Sequence, residues 1–266
     1  MVEKLPSQEN NNQDIELRYG DTQAFVSLDG AYVTAFKVGG KDIFYPDGMI
    51  KINGQEKRRG GIPILFPWAG FLKDYLQHGF ARDMKWEEVS TGDELVSSKV
   101  LLKLEANDKT KEIFPYNFEI NLEVSLKENS LFYKLNVLNN DNKDMPVAPG
   151  FHPYFRVPED RFKDIETNIK DFNPENYKLT ETLFFPLKDL KVSIPEVGNL
   201  KIEYEDAFER KQSKLAVWTD KLDSEGDSYI CFEPWVTDLG GFLKKDQQLL
   251  IPSGKEVAFT MLLTLS

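Results

Sequence analysis

Both histidines of the chain lie in short stretches rich in aromatic residues, glycine and proline. His78 stands before Gly79-Phe80, and His152 lies between Phe151 and Pro153. Histidine has an ordinary pKa of about 6.5, which suits proton transfer at neutral pH. The proline after His152 favours an extended backbone and so restricts where its ring points. These features predict a functional role for both residues, and a histidine that only packs in the core is the alternative.

Glu233 is a carboxylate in a segment that otherwise reads as a buried strand, Tyr229–Phe232. Burying it costs several kcal/mol unless it is paired, hydrogen-bonded or protonated. Desolvation would raise its pKa toward the range useful to a general base. Pro234 can end a strand, so a glutamate at the strand end pointing to solvent is the alternative. We favour the functional interpretation.

Basic residues are concentrated in one part of an acidic chain. The net charge is −11, yet residues 51–85 hold seven basic and three acidic side chains. An arginine guanidinium presents a planar fork of donors that suits vicinal hydroxyls or a phosphate. Arg59 and Arg82 are therefore predicted to bind a polyhydroxylated or anionic ligand, whereas Lys57 and Arg58 fit a solvated loop almost as well. Nearby aromatic residues could pack on a sugar face: Phe66, Trp68, Phe80, Tyr154 and Trp235.

Several classes of protein are excluded by what the chain lacks. The negative charge disfavours a general binder of nucleic acid or anionic membranes. Cys231 is the only cysteine, so no internal disulfide can form, and two histidines do not supply the usual zinc-site spacings. No nucleophile elbow, phosphate loop or dinucleotide fingerprint is present. Without a long apolar run or a signal-peptide pattern in Met1–Gln13, we expect a soluble cytoplasmic protein.

Apolar residues alternate with polar ones along most of the chain. Phe118–Leu126 and Leu131–Val137 predict a β-hairpin with one buried face. Similar short runs are bounded by turn residues: Ala24–Leu28, Tyr32–Val38, Val96–Leu104, Leu215–Thr219, Tyr229–Phe232 and Val257–Leu265. No repeat or linker divides the chain. The pattern predicts an all-β fold, a single antiparallel β-sandwich or supersandwich over residues 14–266, after a flexible tail of residues 1–13.

Four ordered motifs carry a resemblance to a known family: Arg59–Pro63 with Phe66-Pro67, Gln77–Arg82, Phe151–Phe155 and Phe232–Trp235. In this respect the chain resembles the aldose 1-epimerase (galactose mutarotase-like) family and is most similar to the branch with hexose-6-phosphate mutarotases. The resemblance covers nearly the whole chain after the tail. It implies a β-supersandwich, no cofactor, and interconversion of the α and β anomers of a small-molecule sugar or sugar phosphate.

The resemblance also implies roles for individual residues. Glu233 looks like the general base that removes the proton of the C1 hydroxyl, and His152 like the acid that protonates the ring oxygen. His78 would hydrogen-bond the sugar, while Arg59 and Arg82 would bind hydroxyls or a phosphate. A base with a raised pKa and a protonated acid predict a bell-shaped rate against pH, with Glu233 setting the acidic limb and His152 the alkaline limb.

Two features limit the resemblance. The stretch between Gly70 and Gln77 is short, so the substrate rim is expected to differ in shape. For the family's additional substrate-binding aspartate, Asp206 and Asp220 are both candidates.

Other functions stay open at this stage. One is a non-catalytic sugar-binding β-sandwich. A glycoside hydrolase would need two carboxylates about 5–9.5 Å apart, and only Glu233 lies in a suitable motif. The sequence leaves open the choice between a free hexose and a hexose 6-phosphate, and the oligomeric state.

Overall fold

Antiparallel β-strands make up most of the structure, as the alternating pattern predicts. The computed structural model describes residues 3–4, 14–52, 55–170, 172–174, 180–186, 189–206, 214–220 and 227–266. Within them lie one α-helix, Asp108–Ile113 (α1), and short 3-10 helices at Ala81–Asp83, Glu159–Asp164 and Gly241–Leu243. The strands are Glu3–Lys4 (β1), Ile15–Tyr19 (β2), Thr22–Val26 (β3), Val33–Val38 (β4), Lys41–Asp42 (β5), Gly48–Ile52 (β6), Gln55–Arg59 (β7), Ile64–Leu65 (β8), Glu87–Glu94 (β9), Ser97–Glu105 (β10), Phe118–Lys127 (β11), Ser130–Asn139 (β12), Met145–Val147 (β13), Gly150–Phe151 (β14), Tyr154–Pro158 (β15), Glu166–Thr167 (β16), Leu183–Phe185 (β17), Asp189–Ile194 (β18), Gly198–Asp206 (β19), Lys214–Trp218 (β20), Asp227–Trp235 (β21), Leu249–Ile251 (β22) and Glu256–Leu265 (β23).

The largest sheet has eight strands in the order β16-β18-β19-β23-β12-β11-β10-β9. Its centre contains the predicted hairpin, in which β11 and β12 pair from Phe118 with Asn139 to Lys127 with Ser130. Alternate residues of β11, such as Ile120 and Leu122, are fully buried. This regular alternation buries one face of the sheet, and the predicted hairpin is confirmed.

A second sheet of six strands carries the candidate site. Its order is β17-β20-β21-β14-β8, and β15 also pairs with β21. Strand β21 is longer than the sequence predicts, because Pro234 stays in the ladder opposite Leu215 on β20. Glu233 therefore lies within the strand, and the alternative of a solvent-facing glutamate at a strand end is wrong.

Smaller sheets complete the architecture, in the orders β2-β3-β4-β5, β1-β6-β7 and β13-β22. Buried side chains from the eight-stranded, six-stranded and four-stranded sheets belong to one apolar cluster, for example Leu122, Phe232 and Ala24. The predicted antiparallel β-sandwich class is thus confirmed. Of the predicted N-terminal tail, the structure describes Glu3–Lys4, which pair with β6; its other residues lie outside the described part. Within the described residues, no helix is long and apolar enough to cross a membrane.

Candidate active site

The side chains of alternate residues in strand β21 form the floor of the candidate site. Because successive side chains of a strand point to opposite faces, Tyr229, Cys231, Glu233 and Trp235 share one face. All four are buried, and Glu233 is only 1% exposed. The indole Nε1–H of Trp235 donates a 2.9 Å hydrogen bond to Glu233 Oε2. The carboxyl group is thus held by its neighbour on the same face, and its Oε1 atom has no part in that contact.

His152 reaches the same floor from the adjacent strand. It directly follows β14, where Gly150 pairs with Trp235, and a side chain at Gly150 would meet the Pro234 carbonyl at 2.9 Å. The imidazole stacks on the ring of Tyr154, with centroids 4.5 Å apart and planes 7° from parallel. His152 Nε2 lies 3.4 Å from Glu233 Oε2. The stacking fixes the imidazole beside the carboxyl group.

His78 is positioned by a short closed loop. Its backbone N–H donates to the Gly70 carbonyl at 2.8 Å, and the Gly70 N–H donates back to His78 Nδ1 at 2.9 Å. Since Nδ1 accepts a hydrogen bond, the ring hydrogen resides on Nε2, which acts as a donor. The His78 ring lies 5.3 Å from that of His152 and 5.9 Å from that of Trp235, centroid to centroid. The short stretch after Gly70 therefore still delivers His78 to the site.

The backbone around His78 requires the glycine that follows it. His78 itself has a positive φ of 66°, and Gly79 has a φ of 69°. A side chain at Gly79 would place its Cβ atom 2.0 Å from the Phe66 carbonyl oxygen. Glycine at position 79 is needed for both reasons, the left-handed backbone and the close approach to Phe66.

Burial shifts the pKa values of the three ionisable groups in opposite directions. Desolvation raises the pKa of Glu233 to about 8, although the Trp235 N–H and the charges of Arg82 and Arg59 act against it. Desolvation also lowers the pKa of His152 and of His78 well below 6.5, and the two arginines add to that shift. The opposite shifts favour the neutral form of both groups, a protonated carboxyl group at Glu233 beside an unprotonated imidazole at His152.

Arg59 is joined to the site by a charged network. Its Nε and Nη2 atoms donate to Asp220 Oδ2 at 2.9 and 2.8 Å. The hydroxyl of Tyr229 donates to the same oxygen at 2.8 Å and accepts from Arg59 Nε at 3.0 Å. Asp220 is thus engaged with Arg59 and Tyr229, which connects it to the site floor. The side chain of Asp206, the other candidate aspartate, lies outside the described residues.

The remaining basic residues of the 51–85 segment differ in their surroundings. Arg58 makes a two-pronged ion pair with Asp47, at 2.8 Å for each contact, and its guanidinium lies 3.6 Å from the Tyr32 ring centroid. Arg82 donates from Nη2 to the Gln77 carbonyl at 2.9 Å, next to His78. Arg58 is therefore part of a structural contact, while Arg82 has the carboxylate of Asp83 only at 4.0 Å.

The structure brings Glu233, His152 and His78 together and places Arg59 and Arg82 beside them. Among the aromatic residues proposed for a sugar face, Tyr154 and Trp235 lie on the site side. The proposal does not hold for three others, which are buried in the main core: Phe66, Trp68 and Phe80. Sequence reasoning missed two neighbours of the site, Tyr229 and Trp218, and the ring of Trp218 lies 5.9 Å from that of His152, centroid to centroid. Tyr229 lies four residues before Glu233 on the same strand. The alternation of side chains along a strand therefore already predicts that the two residues share a face.

The fold has counterparts among solved structures. A protein of Synechocystis sp. PCC 6803 is similar with a TM-score of 0.77 and 24% identity, covering 99% of this chain and 100% of that one. The galactose mutarotase related enzyme of Lactobacillus acidophilus is similar with a TM-score of 0.73 and 19% identity, covering 96% and 97%. At these identities the likeness establishes the fold, which is that of galactose mutarotase-like proteins.

The sequence comparison defines the family. The aldose 1-epimerase family profile matches residues 13–225, and the chain belongs to the aldose 1-epimerase family. A protein of Cenchrus ciliaris named "Putative glucose-6-phosphate 1-epimerase" is 29% identical over 156 residues, 54% of this chain. An Escherichia coli K12 protein of the same name is 24% identical over 109 residues, 40% of this chain. The matched segments span 47% and 37% of those two relatives.

Proposed function

We propose that this protein is a cofactor-independent aldose 1-epimerase that interconverts the α and β anomers of a hexose or hexose 6-phosphate. The observation that carries the proposal is the buried pair Glu233 and His152, whose Oε2 and Nε2 atoms are 3.4 Å apart. Their displaced pKa values let the pair hold a single proton at neutral pH. Ring opening requires one group that removes a proton and one that supplies it, and this pair can do both.

The proposed reaction moves two protons in each direction. Glu233 as carboxylate accepts the proton of the C1 hydroxyl, while His152 as imidazolium donates its proton to the ring oxygen. The bond between C1 and the ring oxygen breaks, and an open-chain aldehyde forms. After rotation about the C1–C2 bond, Glu233 returns its proton to the C1 oxygen, His152 takes back the proton of the former ring oxygen, and the ring closes on the other face.

The resting protonation of the pair adds one step to this scheme. In the free site the proton resides on Glu233, whereas the proposed roles need it on His152. Both arrangements contain the same number of protons, so a transfer between Glu233 Oε2 and His152 Nε2 connects them. Catalytic contacts in unliganded sites are often longer than in the substrate complex, so the 3.4 Å separation can shorten when sugar binds.

Neighbouring residues support the binding of the sugar. His78 Nε2–H is a donor for a ring oxygen or hydroxyl. The exposed Gln77 amide nitrogen 3.3 Å from it is also a donor and cannot accept that hydrogen. Arg59 is held by Asp220 and suits hydroxyl groups. Arg82 has the weaker carboxylate contact and is our candidate for a 6-phosphate. The names of the curated relatives support testing a hexose 6-phosphate first.

The test is to measure anomer exchange of glucose, galactose and glucose 6-phosphate side by side, by polarimetry or exchange NMR. We expect acceleration of at least one of these by the wild type and little by Glu233→Gln. Sugar binding without any acceleration would favour a non-catalytic carbohydrate-binding protein. A glycoside hydrolase would instead cleave aryl glycosides. That reaction would need a second carboxylate. Asp220, the other acidic side chain at this site in the described residues, is engaged with Arg59 and Tyr229.

A further inference from the structure

A third potential ligand group lies beside the proposed proton-transfer pair. Cys231 is two residues before Glu233 on the same face of β21 and is fully buried. One ligand atom each from His152, Cys231 and Glu233 lies within 4.8 Å of the other two. The proposed reaction makes no use of the thiol.

We propose that His152, Cys231 and Glu233 form a binding site for a thiophilic divalent cation such as Zn²⁺, and that the bound cation inhibits the enzyme. Imidazole nitrogen, thiolate sulfur and carboxylate oxygen are the ligands that Zn²⁺ prefers, in sets of three with a fourth position open. With bonds of about 2.0–2.3 Å to such ligands, tetrahedral coordination needs separations of about 3.3–3.7 Å between ligand atoms, whereas the three atoms here lie within 4.8 Å of one another. The longest separation must therefore contract by roughly 1–1.5 Å.

Arg59 and Arg82 lie near the cluster and oppose a cation electrostatically, so the anions among its own ligands must outweigh them. In the part of the chain that the structure describes, Glu233 contacts the Trp235 indole and His152 and has no ion pair with lysine or arginine. Arg59 is occupied by Asp220. A divalent cation therefore displaces no existing ion pair. The thiol and carboxyl groups release their protons to solvent when they bind it, and the two anions balance its charge.

His152 already presents one nitrogen to the cluster. Its Nε2 atom lies 3.4 Å from Glu233 Oε2, and its ring is held in a nearly parallel stack on Tyr154. Its buried Nδ1 atom has no hydrogen-bond partner among the described residues, so a small shift of the ring toward a cation breaks no hydrogen bond at Nδ1.

A bound cation would occupy the lone pairs that the proton transfer requires. Inhibition would then be competitive with the sugar, because both need Glu233 and His152. This part of the inference rests on the proposed function, whereas binding of the cation does not. The experiment therefore measures binding and inhibition separately.

Cobalt(II) is the direct probe of binding, because its sulfur-to-metal charge-transfer absorption reports a coordinated thiolate. The chain has a single cysteine, so such a band can arise only from Cys231. We expect a band that saturates at one Co²⁺ per chain and is absent in Cys231→Ser and Cys231→Ala. Glu233→Gln should weaken Co²⁺ binding at least about tenfold, as for loss of a ligand. His78→Asn is the matched control, since it removes the other histidine and should retain the band.

Inhibition by Zn²⁺ is then compared among folded variants, each relative to its own metal-free rate. We expect Zn²⁺ to inhibit the wild type and to need at least about tenfold higher concentration in Cys231→Ser and Cys231→Ala. Mg²⁺, which prefers oxygen ligands, should have no effect. Absence of the thiolate band in the folded wild type, or equal Zn²⁺ sensitivity in all three proteins, would overturn the proposal. Failure of the proposed function would appear differently, as a metal-free wild type that accelerates no anomer exchange.

Discussion

The two faces of strand β21 place neighbouring residues in opposite environments. Ile230 and Phe232 point into the main apolar core and are fully buried. One residue further along, Cys231 and Glu233 are equally buried but face the site. The depth of burial is the same on both sides. What differs is the chemistry of the side chains, because the second face holds a carboxyl group, a thiol and an adjacent imidazole.

This difference separates stability from chemistry within a single strand. Burying a side chain such as Phe232 contributes about 1.5–3 kcal/mol to stability. Burial has the opposite effect at Glu233, because it raises the pKa of the carboxyl group from 4.5 to about 8. Ionising that group in the folded protein thus costs on the order of 5 kcal/mol more than in water. Burial on the core face stabilises the strand. That stability compensates for the cost of burying the ionisable carboxyl group of Glu233 on the site face.

The largest expected effect concerns turnover. Glu233→Gln and His152→Asn should each lower the turnover number by about 10²–10⁴-fold, since each removes one proton carrier. Phe232→Leu, on the other face, is the matched control and should keep the turnover number of the wild type. Anomer exchange measured on folded protein decides the matter. Wild-type turnover in Glu233→Gln or His152→Asn would refute the assignment of roles.

The second effect concerns the free energy of unfolding. We expect a substitution on the site face, Glu233→Gln, to raise it and one on the core face, Phe232→Leu, to lower it. A raised carboxyl pKa means that stability is fully present below about pH 4.5 and declines as the pH rises toward 8. Glu233→Gln cannot ionise, so it should be more stable than the wild type by roughly 4 kcal/mol at pH 8. Phe232→Leu should be less stable than the wild type at every pH. Urea unfolding at pH 5 and pH 8 measures both differences. A wild type that gains stability over this interval relative to Glu233→Gln would contradict the raised pKa.

A third effect concerns the charge of the substrate. Arg82→Ala should raise the KM for glucose 6-phosphate about tenfold more than the KM for glucose, because a charge-assisted contact is lost only with the phosphate. Arg59→Ala, whose side chain is held by Asp220, should weaken both sugars to a similar degree. Added salt should raise the KM for the phosphosugar in the wild type. Equal constants for the two sugars, insensitive to salt, would favour a free hexose.

The smallest effect is a shift in the pH profile. The active pair must hold one proton, so the rate should rise as His152 loses its proton below pH 6.5 and fall as Glu233 ionises near pH 8. Trp235→Phe removes the N–H that favours the carboxylate and should move the alkaline limb upward by a fraction of a unit. The pH dependence of kcat/KM is the measurement. If the alkaline limb of Trp235→Phe stays at the same pH as in the wild type or moves to lower pH, Trp235 does not act on Glu233 in the proposed way.

The sequence predicts the fold well where the pattern is regular. The hairpin at Phe118–Leu126 and Leu131–Val137 extends by only one or two residues in the structure. Strand β21 is the instructive exception, because a proline in a strand usually signals its end. In the structure Pro234 pairs opposite Leu215, so the strand continues and carries Trp235 to the site. Tertiary pairing overrides the local signal here.

The site is only partly readable from the sequence. The motifs predict Glu233, His152 and His78, which the structure brings together. They do not predict the contact of Arg59 with Asp220, 161 residues away, because no local pattern encodes it. The positive charge counted over residues 51–85 is likewise reduced by carboxylates outside that window, Asp47 and Asp220.

The order of the pKa values is also invisible at the sequence level. Local sequence assigns the acidic limb of the pH profile to Glu233 and the alkaline limb to His152. The directions of the burial shifts favour the opposite assignment, because burial raises one pKa and lowers the other. How deeply each group is buried depends on the packing of several strands, which no single motif contains.

The hydrogen bond from the Gly70 N–H to His78 Nδ1 has a consequence for inhibitors. It leaves Nε2–H able to give a hydrogen bond and unable to receive one. A sugar ring oxygen facing this atom offers a lone pair. An iminosugar in which a protonated nitrogen replaces that oxygen offers only N–H groups, and two donors then face each other beside a buried imidazole. The contact at His78 should therefore favour a ring oxygen over a protonated ring nitrogen.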